Sequence, residues 1–103
     1  TSGNDLEDFM QRPPQGADSP VFKFMAALTE CDKPVVAAVT GAGIGIGTTM
    51  LLHCDLVYVS DEARLAMPFT SLGLVAEFAS SLVLPQLVGR AKAAEKLLLG
   101  DPM

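Results

Sequence analysis

Apolar positions along this chain fall into short runs punctuated by glycine and proline. Ser19-Pro20 opens one run, with Ser19 as cap and proline in the first turn. Val21, Phe22, Phe24, Met25 and Leu28 follow at helical spacing, which predicts a helix ending near Asp32 with one apolar face. Pro34 closes it, and the uninterrupted run Val35 to Val39 reads as a short buried strand. A glycine turn, GAGIGIG at 41–47, comes next. Thr48 to Cys54 is helical in pattern, Asp55 leads into a strand over Leu56 to Ser60, and Asp61-Glu62 form a turn. Ala63 to Met67 is a third short strand, stopped by Pro68. Ser80 to Val88 and Ala91 to Leu99 read as two helices parted by Gly89 and ended by Gly100 and Pro102. Pro85 must kink the first of these or stand in its first turn. Before all of this, Thr1 to Asp8 is a turn with capping residues and a helix start at Leu6 to Met10, and residues 11–20 are loop by composition. Strand, glycine turn, helix, strand is α/β order, without internal repeats.

Composition narrows the classes. The 103 residues make at most one domain, and half of them are apolar, enough for a core. A formal charge of −5 with no basic run argues against a nucleic-acid partner and against an anionic membrane surface. Cys31 and Cys54 lack the paired spacing of a zinc site and read as buried thiols in a reducing compartment, with a disulfide as the alternative. No signal peptide or unbroken membrane-length apolar stretch is visible. Both ends look cut from something longer, so residues 1–103 read as part of a domain.

Candidate chemistry concentrates at one residue. Between Arg64 and Arg90 the sole ionisable side chain is Glu77. Burial there would disfavour its charged form and raise its pKa, which suits proton transfer near neutral pH. The competing reading is a first-turn acid of the helix beginning near Ala79. The glycine turn fits no register of the dinucleotide fingerprint: the third glycine position falls on Ile46, Thr48 or Met50. Alternating glycines can instead free backbone N–H groups to hold a developing negative charge, or simply allow tight packing. His53 has no second histidine for a metal site and reads as packed or surface. Ser80 and Ser81 read as helix-start polar groups, and Phe22, Phe24 and Met25 as core.

Lys33-Pro34, the turn glycines Gly41, Gly45 and Gly47, then Cys54-Asp55, Ala63, Pro68 and Gly73 follow one another in an order that resembles the enoyl-CoA hydratase/isomerase (crotonase) family. Leu65 replaces that pattern's aromatic. The opening TSGNDL and the stretch LPQLVGRAKAAEKLLLG resemble the family as well. The resemblance implies a crotonase-like ββα superhelix, of which this would be the central portion. It also implies an acyl-CoA thioester as substrate, with no further cofactor and no metal, and a homotrimer or hexamer of the full-length protein. The compartment would be cytoplasmic in a bacterium, peroxisomal or mitochondrial in a eukaryote. The backbone N–H groups of Asn4 and Ile46 would form an oxyanion hole, and Ser2, Asp5, Leu6, Gly45, Phe69, Leu74 and Phe78 would contact substrate or CoA. Hydratases of the family use two glutamates at positions that here hold Thr49 and Phe69, which argues against ordinary hydration. Glu77, in LGLVAEFASS, resembles the lone glutamate of peroxisomal-type Δ3,Δ2-enoyl-CoA isomerases. The resemblance therefore implies a double-bond isomerase with Glu77 as base. Other acyl-CoA chemistry of the superfamily, hydratase-like, or a member that binds acyl-CoA without turnover, are the alternatives.

Overall fold

The computed structural model describes residues 1–3, 11 and 18–103. The helix start expected at Leu6 to Met10 lies outside them. Helix α1 spans Pro20–Glu30, with proline at its start and the Cys31 N–H returning to the Leu28 carbonyl at its end. It stops two residues before the expected Asp32, with Cys31 already extended at φ −63° and ψ 125°; the Cys31 thiol, expected to be buried, is exposed, and Cys54 is half-buried. None of the helix's residues is fully buried, and Phe22 and Phe24 are exposed. The stripe expected to be core is therefore not core.

Two parallel strand pairs follow. β1 (Val36–Val39) pairs with β3 (Leu56–Val59), Val36 opposite Leu56. β2 (Ala42–Ile44) pairs with β4 (Arg64–Ala66), Ala42 opposite Arg64. Each first strand bends into the second: β1 into β2 across Thr40-Gly41, and β3 into β4 through a turn closed by the Ala63 N–H on the Ser60 carbonyl at 3.1 Å. The crossover between the layers is α2 (Ile46–Thr49), tightening into a 3₁₀ turn over Met50–His53. This repeated strand, strand, helix order is the ββα superhelix that the resemblance implied. Asp55 locks the joint, since its carboxylate accepts the Val35 N–H at 2.7 Å while its own N–H reaches the Val35 carbonyl at 2.8 Å.

Two expectations are corrected here. The run at 35–39 is not a buried strand: Val36 is 58% exposed, and all four residues of β3 are exposed. Each sheet has two strands among the described residues, and since successive side chains alternate in direction, β3 is open on both faces. The glycine run is not turn throughout, because its middle is β2. Glycine makes that strand possible by letting backbones close in. A Cβ at Gly43 would lie 2.9 Å from the Gly47 carbonyl oxygen, and one at Gly47 would lie 2.6 Å from the Thr1 carbonyl oxygen. Residues 1–3 accordingly run beside β2, with the Thr1 nitrogen donating to the Ala42 carbonyl (2.6 Å) and the Ile44 N–H donating to the Thr1 carbonyl (3.0 Å).

Helices α3 (Ser80–Val88) and α4 (Arg90–Ala94) pack together beyond the strands, with a π turn at Glu95–Leu99. Gly89, at φ +87°, redirects the chain between them. Pro85 stands inside α3, and the helix continues through it to Val88. The core joins Met67 and Phe69 after β4 to Leu84 of α3 and Ala93 of α4, with Leu52, Ala76 and Leu97 packed around them. This core fixes the β4 exit against α3, and the intervening stretch carries Glu77.

Candidate active site

A cavity of about 360 Å³ opens where the β2 exit, the β4 exit and α1 converge. Ser2 and Gly3 form one rim, Gly45 and Ile46 another, and Phe69, Leu74 and Glu77 close the far side. The walls are mainly apolar, and Glu77 is the one ionisable side chain among the described residues that line them. A charge in such a setting is poorly solvated and therefore responsive to each partner it has.

Glu77 is half-buried and accepts a hydrogen bond at Oε1 from the Thr49 hydroxyl at 2.6 Å. Burial raises its pKa above the ordinary carboxylate value, opposed by the Thr49 hydrogen bond and by the charge of His53. Its backbone is held with equal care. Phe78 and Ala79, both at φ +57°, are the described non-glycine residues with left-handed backbone, a conformation that costs about 1–2 kcal/mol per residue. Three hydrogen bonds hold this turn. His53 Nε2 donates to the Phe78 carbonyl at 2.7 Å, which fixes the proton on that nitrogen because a carbonyl can only accept. The Ser80 N–H and Oγ–H both donate to the Glu77 carbonyl, at 3.1 and 2.7 Å. The His53 and Phe78 rings are also stacked, with centroids 4.1 Å apart. Glu77 thus enters the helix start through its main chain, while its carboxylate binds Thr49 and not the first turn of α3.

The glycine bends supply donors. Gly45, at φ +61°, sends its N–H to the Ala66 carbonyl at 2.9 Å and turns the chain into α2. Ile46 is the first residue of that helix, so its N–H precedes the helical hydrogen bonds and has no partner among the described residues. Gly3, at φ +92°, lies so close to β2 that a Cβ would sit 2.8 Å from the Ile44 oxygen. Both bends face the cavity that holds Glu77.

Of the residues singled out in the sequence, Ser2, Gly45, Ile46, Phe69, Leu74 and Glu77 gather at this cavity. Asn4, Asp5 and Leu6 lie outside the described residues. Phe78 is a correction: it does not line the cavity but is buried, stacked on His53 and edge-on to Phe24 at 6.3 Å. The left-handed turn directs its ring away from the face that Glu77 occupies. Of Phe22, Phe24 and Met25, expected in the core, Phe22 and Met25 instead line the cavity together with Val21, and Phe24 is exposed. Helical spacing marks an apolar face but does not say whether it meets a core or a hollow. Thr49 was noted only as a missing glutamate; nothing local in the sequence marks it as a partner of a residue 28 positions away. Among the described residues, no three His, Cys, Asp or Glu side chains gather to hold a metal ion, and no helix is long and apolar enough to cross a membrane.

The chain matches the family model described as enoyl-CoA hydratase/isomerase over residues 1–103. It is 36% identical over 110 residues to human enoyl-CoA delta isomerase 2, covering 100% of this chain and 28% of that protein. Among solved structures it is similar to Pseudomonas aeruginosa OdaA, with a TM-score of 0.95 and 61% identity over 100% of this chain and 42% of that one. An enoyl-CoA hydratase/isomerase from Pseudoalteromonas atlantica gives a TM-score of 0.90 at 50% identity, over 100% of this chain and 41% of that one. The chain thus spans well under half the length of each of these relatives.

Proposed function

The chain belongs to the enoyl-CoA hydratase/isomerase family, and we propose that within it the protein moves a double bond along an acyl-CoA thioester, from the 3-enoyl to the 2-enoyl position. One observation carries this reading: a half-buried carboxylate with a raised pKa shares an apolar cavity with both glycine bends. In the proposed reaction the Glu77 carboxylate takes a proton from C2. The C2–H electrons move into a dienolate, and charge builds on the thioester oxygen. Backbone N–H groups of Ile46 and Asn4 would hold that oxygen, a kind of support worth about 10²–10³ in rate per donor. The protonated Glu77 then delivers the same proton to C4, so substrate and product are isomers and no water, oxidant or metal enters the balance.

Two further features support isomerisation over hydration. Adding water needs groups to position and activate it. The position of one hydratase glutamate is Thr49, whose hydroxyl is engaged with Glu77, and the other is Phe69, an apolar wall residue. An apolar cavity also keeps bulk water from quenching the dienolate. Assembly of the intact protein as a homotrimer or hexamer, and a compartment set by its source, are part of the same proposal.

The test is Glu77→Gln in the intact protein, assayed on 3-enoyl- and 2-enoyl-CoA side by side. Loss of a general base predicts a fall in isomerisation of about 10²–10⁴-fold with acyl-CoA binding retained. Near-normal isomerisation by this variant eliminates Glu77 as the base. Binding without turnover of either substrate by the unaltered protein would mark a non-catalytic acyl-CoA binder.

A further inference from the structure

We propose that Thr49 is the positioning residue of Glu77: its hydroxyl grips Oε1 and thereby leaves Oε2 as the oxygen that carries the proton. This rests on the reading of Glu77 as base. The geometry behind it is specific. Thr49 is fully buried at the end of α2, and its hydroxyl donates to Oε1 at 2.6 Å, a length typical of a hydrogen bond to an ionised acceptor. Oε1 accepts no other hydrogen bond from the described residues. A carboxylate free to rotate about its last bond would present either oxygen at a range of angles. One fixed oxygen defines the plane and aims the other.

Thr49 can do this because its neighbour anchors the element. Thr48, also buried, donates its hydroxyl to the Gly43 carbonyl and accepts the Ala66 N–H at 3.1 Å, tying α2 to both β2 and β4. The adjacent side chain is thereby pinned relative to the two bends of the cavity. From the other side, the His53 bond to the Phe78 carbonyl holds the backbone that carries Glu77. Carboxylate and main chain are thus each fixed to the same helical stretch, residues 46–53. Threonine here stands where the family's hydratases keep an acid, so the position has changed from a proton-handling group to an orienting one.

A positioning hydroxyl predicts effects that a packing role would not. Thr49→Val keeps the shape and removes the hydroxyl; we expect kcat on 3-enoyl-CoA to fall about 10–100-fold while KM changes less than about threefold. Because the lost hydrogen bond favours the charged form, the acid limb of the kcat/KM profile should also move to higher pH. His53, from the 3₁₀ turn, is the other titratable side chain among the described residues that acts on Glu77, and Thr49→Val leaves it in place. Thr49→Ser should restore both rate and limb. If Thr49→Val does not fold, Thr49→Ala against Thr49→Ser asks the same question, since both lose the methyl and only serine keeps the hydroxyl. An unchanged rate and limb in the hydroxyl-free variant, with Glu77→Gln inactive, overturns this inference alone. An active Glu77→Gln overturns the reading beneath it.

Discussion

Two consecutive left-handed residues without glycine are an unusual expense, and they directly follow Glu77. Phe78 recovers part of the cost through its ring contact with His53, whereas Ala79 is exposed and its side chain has little to offer in return. Ala79→Gly should therefore stabilise the protein by about 0.5–1 kcal/mol, the relief of the left-handed strain outweighing the added freedom of the unfolded chain. A denaturant midpoint that stays level or drops would show that the turn is not strained at that residue. At this scale the sequence was legible where a residue was chemically isolated. Glu77 announced itself because nothing else from Leu65 to Gly89 ionises. Phe78 was misplaced because its direction depends on a positive φ that Phe-Ala does not advertise. Thr49 was unreadable as a partner because hydrogen bonds between distant segments leave no local pattern.

Between elements, glycine acts by closing distances. Gly47 sits where α2, β2 and residues 1–3 come together, and its missing side chain is what lets Thr1 approach. Gly47→Ala should push residues 1–3 away from β2, costing about 1–3 kcal/mol as overpacking does. It should also raise KM for the acyl-CoA, since Ser2 and Gly3 line the cavity. Gly41→Ala is the matched control: a Cβ there meets nothing within 4 Å, and its effect should stay within about 0.5 kcal/mol. Thermal melts and KM measured on both variants decide the point, and equal behaviour would refute the close-approach account. Strand pattern and breaker residues located nearly every element to within a residue or two. They missed β2, because Ala42-Gly43-Ile44 is three residues long with one branched side chain inside a glycine run, too little of the pattern by which strands are recognised. They also misread the face of α1, whose apolar stripe meets a hollow.

At the level of the whole molecule, the parallel crossover was readable from element order alone, whereas the coverage of the sheets was not. Leu56, Val57, Tyr58 and Val59 have the composition of an interior strand and yet stand exposed among the described residues. What a sequence records is the burial its side chains need, not which segment provides it. The two layers also advance unequally. Val36 meets Leu56, twenty positions on, while Ala42 meets Arg64, twenty-two on. The difference is Asp61 and Glu62, two acidic residues on an exposed, self-closed turn. Excising that pair would join β3 to β4 by two residues, as Thr40-Gly41 already join β1 to β2, and should preserve both ladders and the melting transition. Removing Asp61 alone leaves an odd spacer and presses β4 toward the wrong alternation of its side chains, so a marked loss of cooperativity is expected on melting. On this account the longer corner is a removable shim, one the coil should give up in whole steps of the pleat and not by halves.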